Sequence, residues 1–351
     1  MTDARIAIAT NNGDIGGGEV MLLQIAEALR QLGIDVLVLG PEEPSGLVTE
    51  AAARGHDTEV LPSHTRLEWM AALRRWRIRN PHLPLWCNGL VPSFATALLG
   101  PRLVHLHVIP TKRHWLLAGV ARLGARRTIA ISYFMASRLS GTPYVMPNWT
   151  GEIEFGCRDV PERGTVRIGF MGRLTRDKGV HVLAEAIRAL DLGVGRSVRL
   201  VLAGENRFGD TKDDEVISRS LAPLGNNVDY LGWVSREDFF AAVDVAVFPS
   251  TWDEPFGLVA AEAMASGTPF VISDAGGLVE VAGPDHPWIA RRSDINSLAQ
   301  TLTELLRQPP ETVREAVCAS RERWEREYSP RAGLNRVADL LKTMERTGWQ
   351  V

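Results

Sequence analysis

Short apolar runs alternate with longer stretches of helical spacing along the 351 residues of the chain. Residues 5–11, RIAIATN, read as a buried parallel strand, because the apolar run IAIA bounded by turn signals suits a strand covered on both faces. The glycine-rich GDIGGGE follows. EVMLLQIAEALRQLG then places apolar residues at helical spacing until Gly33 ends it, and IDVLVLG is the next strand. TEVLPS, LPLWCNG, RLVHLHV and RTIAIS are further short strands, with helical segments between most of them. PYVMPNWTGEIEFGCRDVPERGT breaks the rhythm with prolines, glycines and charges, as an interdomain linker would. A second series follows, with VRIGFMGRL, VRLVLAGE, VDYLGWV, DVAVFPS and TPFVIS as strands and a mainly helical tail from Ile295.

Strands alternating with helices imply parallel sheets covered on both faces. The pattern predicts an α/β protein of two Rossmann-like, doubly wound domains. The first spans 1–150 and the second 165–329, with 151–164 as linker. The C-terminal helix of about 330–351 is a candidate for packing back on the first domain. The length suits two domains of ordinary size.

Composition narrows the setting. No run of about 18 apolar residues is present, so no membrane-spanning helix is expected. The chain begins MTDARIAIAT without a signal-peptide pattern. Cys87, Cys157 and Cys318 are far apart and match neither a disulfide framework nor a zinc site. A reducing cytoplasm is the simplest setting, and the expectation is no metal, no cofactor and no nucleic-acid partner. Net charge is only −3, yet residues 61–150 hold twelve Arg or Lys and one acid, Glu68. That asymmetry fits an anionic partner for the first domain. Compositional drift is the alternative, since Lys occurs only four times and almost every cation is Arg.

Three segments carry candidate chemistry. GDIGGGE opens a helix, where glycines permit close approach and free N–H groups face an anion. It lacks the Gly-Lys-Ser/Thr of a Walker A loop, and from Gly16 the third glycine of a dinucleotide fingerprint would fall at Met21. In GFMGRLTRDKGV, Arg173 and Lys178 flank the turn before a helix starting near Gly179, an arrangement suited to a diphosphate. In FPSTWDEPFGLVAAEAMASGTPFV, seven residues separate Glu254 from Glu262. A helix starting after Pro255 would place these carboxylates roughly 10 Å apart and turn the amides of Phe256, Gly257 and Leu258 outward.

Together GGGE, GRL-x4-KG, LAGE, YLGWVS, FPSTWDEPFGLVAAEAMASGTPFV and GGLVE resemble glycosyltransferase family 4, whose members are retaining and have the GT-B fold with its two domains facing a central cleft. The likeness covers nearly the whole chain and is more specific in the second domain. It implies that a nucleotide-diphosphate sugar is the donor and that Arg173 and Lys178 hold the diphosphate. Glu254 would take donor sugar hydroxyls with the amides of Phe256, Gly257 and Leu258, and Glu262 the ribose. Trp233 and Val234 would border the nucleobase. Gly17 or Gly18 would approach the donor from the first domain. His107 resembles the first-domain histidine that faces the donor sugar, with His105 the competing choice on the same strand face. Two departures stand out. Trp149 replaces the glycine of the frequent Pro-Asn-Gly junction, and Glu205, followed by Asn206, replaces an Asp.

The resemblance implies sugar transfer with retention, the diphosphate leaving group being stabilised by fixed cations and helix-end amides. Asp213 and Asp214 are adjacent on a predicted helix, not in a metal-binding loop. An epimerase of the same architecture and a non-catalytic nucleotide-sugar-binding subunit are the alternatives. The acceptor is not named by the sequence. Residues 66–79, RLEWMAALRRWRIR, with Trp69 and Trp76, and the stretch 112–127, with Trp115, Arg122, Arg126 and Arg127, read as basic surfaces for an anionic lipid at the inner membrane face. A small soluble acceptor is the other option.

Overall fold

Ile6, Ala7, Ile8 and Ala9 are fully buried, as the continuous apolar run requires of a central parallel strand. The computed structural model describes residues 4–111, 114–191, 195–205 and 211–346. It divides into one unit of Met1–Gly151 with Pro330–Val351 and another of Glu152–Ser329.

The first unit opens with β1 (Arg5–Ala9), α1 (Gly17–Gln31), β2 (Asp35–Pro41), α2 (Gly46–Ala53) and β3 (Asp57–Leu61). It continues through α3 (Arg66–Arg79), β4 (Leu85–Asn88), α4 (Leu90–Ala95) and β5 (Arg102–Leu106). α5 (Trp115–Arg122), β6 (Arg127–Ala130), α6 (Tyr133–Ser137) and β7 (Tyr144–Val145) complete the sheet. The second unit runs β8 (Gly164–Met171), α7 (Val180–Arg188), β9 (Arg196–Ala203), α8 (Thr211–Leu221) and β10 (Val228–Gly232). Then come α9 (Arg236–Ala242), β11 (Val245–Phe248), α10 (Leu258–Ser266), β12 (Phe270–Ser273), α11 (Gly277–Ala282) and β13 (Ile289–Ala290). α12 (Ile295–Arg307) and α13 (Pro310–Glu327) follow, and α14 (Pro330–Glu345) belongs to the first unit.

Both sheets are parallel, with strand orders β3-β2-β1-β4-β5-β6-β7 and β10-β9-β8-β11-β12-β13. In each, the first strand of the unit lies beside the fourth, where the winding reverses. Crevices at the carboxyl ends of strands flanking such a reversal are where open α/β sheets bind ligands.

α14 closes the first core. Val337, Leu340, Leu341 and Met344 pack with Met21, Ile25, Leu29 and Trp149. A Cβ at Gly333 would lie 2.2 Å from the Trp149 ring, so only glycine lets the helix pass there. Trp149 is therefore a core residue of the first unit, and its bulk is used in packing. The segment 151–164, read from sequence as linker, is laid against the second unit. Val160 joins that core and the Gly156 amide donates to Ser266 O at 3.0 Å. Tyr144–Val145, inside the stretch that breaks the sequence rhythm, instead adds an edge strand to β6.

One expectation is overturned in α3. Trp69 and Trp76 are buried, the Trp76 indole donating to Glu59 Oε2 at 2.9 Å. Arg77 is 1% exposed and donates to the carbonyls of Asn80, Pro81, Leu83, Leu99 and Pro101. Arg74 donates to Ala95 O. The tryptophans and Arg77 that suggested a lipid-facing helix hold α3 to the domain, because five carbonyls from two loops need one donor array. In the other basic stretch, 112–127, residues 112 and 113 lie outside the described residues.

Candidate functional site

The reversal in the second sheet brings the chemistry-bearing segments together. After β8 the chain makes a 3-10 turn at Arg176–Lys178, and Gly179, at φ +77°, starts α7. A Cβ on Gly179 would sit 1.9 Å from Pro249 O, so glycine lets this turn press against the chain leaving β11. Thr251 locks the contact, its amide donating to Asp177 O at 2.8 Å and its hydroxyl to Arg176 O at 3.0 Å.

Lys178 and Glu254 therefore meet across the reversal, Nζ to Oε1 at 2.5 Å. Ser250 Oγ donates to the same oxygen at 2.6 Å, and Ser250 O is held by the Ser273 hydroxyl at 2.7 Å. Glu254 is nearly buried, so its charge depends on this cation and hydroxyl. Its second oxygen, Oε2, has no partner among the described residues. The carboxylate is thus fixed by one oxygen and offers the other.

Beyond Glu254 the backbone is tightly constrained. Gly277 N donates to Glu254 O at 2.7 Å, and a Cβ on Gly277 would lie 2.8 Å from the Phe256 backbone. Gly257, at φ +110°, caps α10 with Leu278 beneath it. The amides of Phe256, Gly257 and Leu258 make no hydrogen bond within the described residues and stand at the start of α10. The Phe256 ring is buried edge-on against Tyr328 and is not itself presented.

Arg173 goes elsewhere. It is exposed and pairs with Asp177, 3.2 Å away, so the two cations expected as one diphosphate pair have different partners here. Glu262 lies one helical turn into α10, its side chain 13% exposed, with Arg236 at 3.9 Å. Burial pushes its carboxyl up to about 7, Arg236 pulling it down and Glu237 raising it further. Trp233 is 62% exposed beside partly buried Val234, in the loop between β10 and α9. Glu205 lies just past β9, while Asn206 falls outside the described residues. Asp213 and Asp214 lie in the first turn of α8.

The first sheet repeats the device at its own reversal. Gly16 caps α1, so Gly17 and Gly18 are its first two residues. Glu19 folds back onto the Gly16 amide at 3.3 Å and accepts from the Thr10 hydroxyl at 3.3 Å. Burial raises the Glu19 carboxyl, with Asn12, the cap backbone and Thr10 acting against it. The acid of GGGE is thus a capping residue.

Asn88, at the end of β4, was not singled out by sequence. Its signal was a polar residue closing the apolar run LPLWC. Asn88 Nδ2 donates to Gly18 O at 3.1 Å, and Oδ1 faces His107 Nε2 at 2.7 Å. With Oδ1 an acceptor, His107 must carry its proton on Nε2. Nδ1 is then a lone-pair acceptor, buried without a partner. A Cβ on Gly18 would lie 3.7 Å from the His107 ring, an ordinary contact, so the ring packs directly over the start of α1. Burial holds His107 down at about 4, so it is neutral near pH 7. His105, fully buried in β5, accepts from the Trp86 indole at 3.3 Å, its ring tilted 47° to that of His107 with centroids 4.2 Å apart. Of the two, His107 adjoins the glycine turn.

Among the described residues no group of three or more His, Cys, Asp or Glu is placed to hold a metal ion, and no helix is long and apolar enough to cross a membrane.

Residues 165–308 match the family model described as glycosyl transferases group 1. An uncharacterized glycosyltransferase of Methanocaldococcus jannaschii is 36% identical over 138 residues, 38% of this chain and 34% of the relative. A phosphatidyl-myo-inositol mannosyltransferase of Mycobacterium leprae is 26% identical over 374 residues, 96% of this chain and 95% of the relative. The chain spans 34 to 51% of the length of the first curated relatives it matches. HepE of Anabaena, solved in complex with UDP-glucose, aligns with a TM-score of 0.80 at 22% identity, covering 97% of this chain and 99% of that one. Sucrose-phosphate synthase of Thermosynechococcus elongatus aligns at 0.80 and 19%, covering 98% of this chain and 100% of the other. The fold is that of the GT-B glycosyltransferases.

Proposed function

We propose that this chain is a glycosyltransferase that takes a hexose-type sugar from a nucleotide-diphosphate donor and transfers it with retention of anomeric configuration. The reading rests on the Lys178–Glu254 pair at the reversal of the second sheet, inside the segment that matches the glycosyl transferases group 1 model. Glu254 Oε2 accepts from a hydroxyl of the donor sugar. Lys178 and Arg173, with the amides of Phe256, Gly257 and Leu258, stabilise negative charge as the diphosphate leaves. Glu262 accepts from the ribose. Trp233, largely exposed, offers its ring to the base. In the first unit, His107, held by Asn88 beside Gly17 and Gly18, is assigned to face the donor sugar.

Among the described residues no carboxylate is poised as a covalent nucleophile, so the leaving phosphate is assigned the acceptor's proton. UDP-glucose is the first donor to try, being bound in HepE. Incubation with radiolabelled UDP-glucose, and then with other nucleotide sugars, tests the reading. Transfer, or slow release of free sugar, is the expected result, and proton NMR of the first product should show the donor's anomer. Epimerised donor would make the chain an epimerase. Binding without turnover across a donor and acceptor screen would make it a binding subunit.

A further inference from the structure

α5 is built with its small side chains inward. Ala118 and Ala121 are buried, whereas Trp115, Leu116, Leu117 and Val120 are exposed, Leu116 by 78%. Leu123, just past the helix end, is exposed as well. A helix covering a core ordinarily does the reverse, since burying large apolar side chains is what holds it in place.

Leu98 extends the same surface. It is 70% exposed, at φ +64°, and its amide donates to Leu123 O at 3.1 Å. Left-handed backbone is disfavoured for leucine, so strain is accepted here at a residue that holds an apolar side chain in solvent. Neither folding nor solubility explains such a surface. Contiguous exposed apolar area of this kind marks an interaction site.

Charge identifies the partner. Between Glu68 and Glu152 the sequence has eleven Arg or Lys and no acid, and of these Arg77 and Arg102 are buried. Arg126 is exposed two residues past Gly124, and Arg122, at the end of the helix, reaches Ser140 Oγ at 2.9 Å. A partner meeting this region encounters apolar side chains with cations beside them. The start of the helix is a tryptophan, the residue that favours the water–lipid boundary.

We propose that α5, with Leu98 and Leu123, docks on an anionic phospholipid surface. The apolar side chains enter the boundary between headgroups and acyl chains, and the arginines lie at the level of the phosphates. This surface is separate from α3, whose tryptophans are buried. It requires no nucleotide sugar and stands whether or not the proposed transfer does.

The test is co-sedimentation of the full chain with vesicles of phosphatidylcholine alone, or containing roughly one third phosphatidylglycerol to give a negative surface potential. Binding is expected to the second and not the first, and to fall with added salt. The triple variant Leu116→Ser, Leu117→Ser, Val120→Ser should bind at least about tenfold more weakly, since it removes most of the inserting apolar area. These side chains are exposed, so the variant should keep the circular dichroism spectrum and melting temperature of the parent. Trp115→Phe should remove the blue shift of tryptophan emission that accompanies vesicle binding. Failure to sediment with anionic vesicles at low salt would overturn the proposal. So would equal sedimentation of the triple variant, or equal binding to neutral vesicles. A dimer dispersed by the triple variant, in a protein that ignores vesicles, would reassign the surface to a second copy of the chain.

Discussion

Glu262 sits in α10 at the cost of an ordinary titration, and that cost can be measured by changing one atom. Its side chain is 13% exposed, and burial pushes the carboxyl from 4.5 up to about 7, against the pull of Arg236. The folded chain therefore keeps a proton that the unfolded chain releases near 4.5. Stability associated with this group is complete below about 4.5 and is lost as pH rises through about 7. The interval corresponds to ~3 kcal/mol, at ~1.4 kcal/mol for each pH unit. Glu262→Gln stays neutral at every pH. It should match the parent near pH 5 and exceed it by ~2–3 kcal/mol near pH 8.5. Denaturant unfolding of both proteins at the two pH values gives the comparison, read on the transition of the second unit because two units need not unfold together. His105, His107 and His286 also titrate with folding, but they are common to both proteins and cancel in the difference. A Gln-minus-Glu difference that is the same at both pH values would refute the reasoning. The same proton should govern donor binding, because a ribose hydroxyl is best accepted by the ionised carboxylate. Affinity for UDP-glucose should weaken about tenfold from pH 8 to pH 6 in the parent and stay flat in Glu262→Gln. UDP-glucose is the better probe because the terminal phosphate of UDP itself titrates near pH 6.

Lys178→Ala and Arg173→Ala should each lower turnover by ~10²-fold or more, since each removes a charge that the proposal assigns to the leaving group, Arg173 after release from Asp177; near-normal turnover and nucleotide affinity in both would refute the donor site. Asn88→Ala should leave UDP binding intact while lowering kcat about tenfold. Nitrogen-15 NMR of the variant should then show His107 as mixed tautomers, and an unchanged Nε2–H spectrum would remove Asn88 from its positioning role. Arg77→Met leaves five carbonyls without their donor and should destabilise the first unit by ~3 kcal/mol or more; a loss under about 1 kcal/mol in thermal or chemical unfolding would mean that water replaces the guanidinium.

The strands and most helices were legible because their periodicity is local. β11 and β1 after Arg5 are unbroken apolar runs, and α1 ends at Gln31 before Gly33 turns at φ +79°. β7 and β13 were not seen, since two residues carry no periodicity. The segments around Lys178 and Glu254 were found by type and resemblance. Their meeting was not readable, because strand order, a nonlocal property, brings together residues 76 positions apart. Asn88 was missed for the same reason. The α3 part of the expected lipid surface was misread because a Trp- and Arg-rich segment has the same composition whether its tryptophans face lipid or core. Glu59 and the loop carbonyls decide the matter, and they come from elsewhere in the chain. α5 shows the converse. WLLAGVAR looks like any apolar helix, and only the packing tells which of its faces is inward.

The closing helix has a consequence for how the molecule is made. α14 supplies part of the first core, yet it is synthesised after the whole of Glu152–Ser329. On the ribosome, Met21, Ile25 and Trp149 lack the part of their covering that α14 supplies until that helix emerges. The second unit, contiguous in sequence, can fold first while the earlier one waits. The first unit is thus the one that a cut before Pro330 would leave with an open core, while Glu152–Ser329 would keep all of its elements.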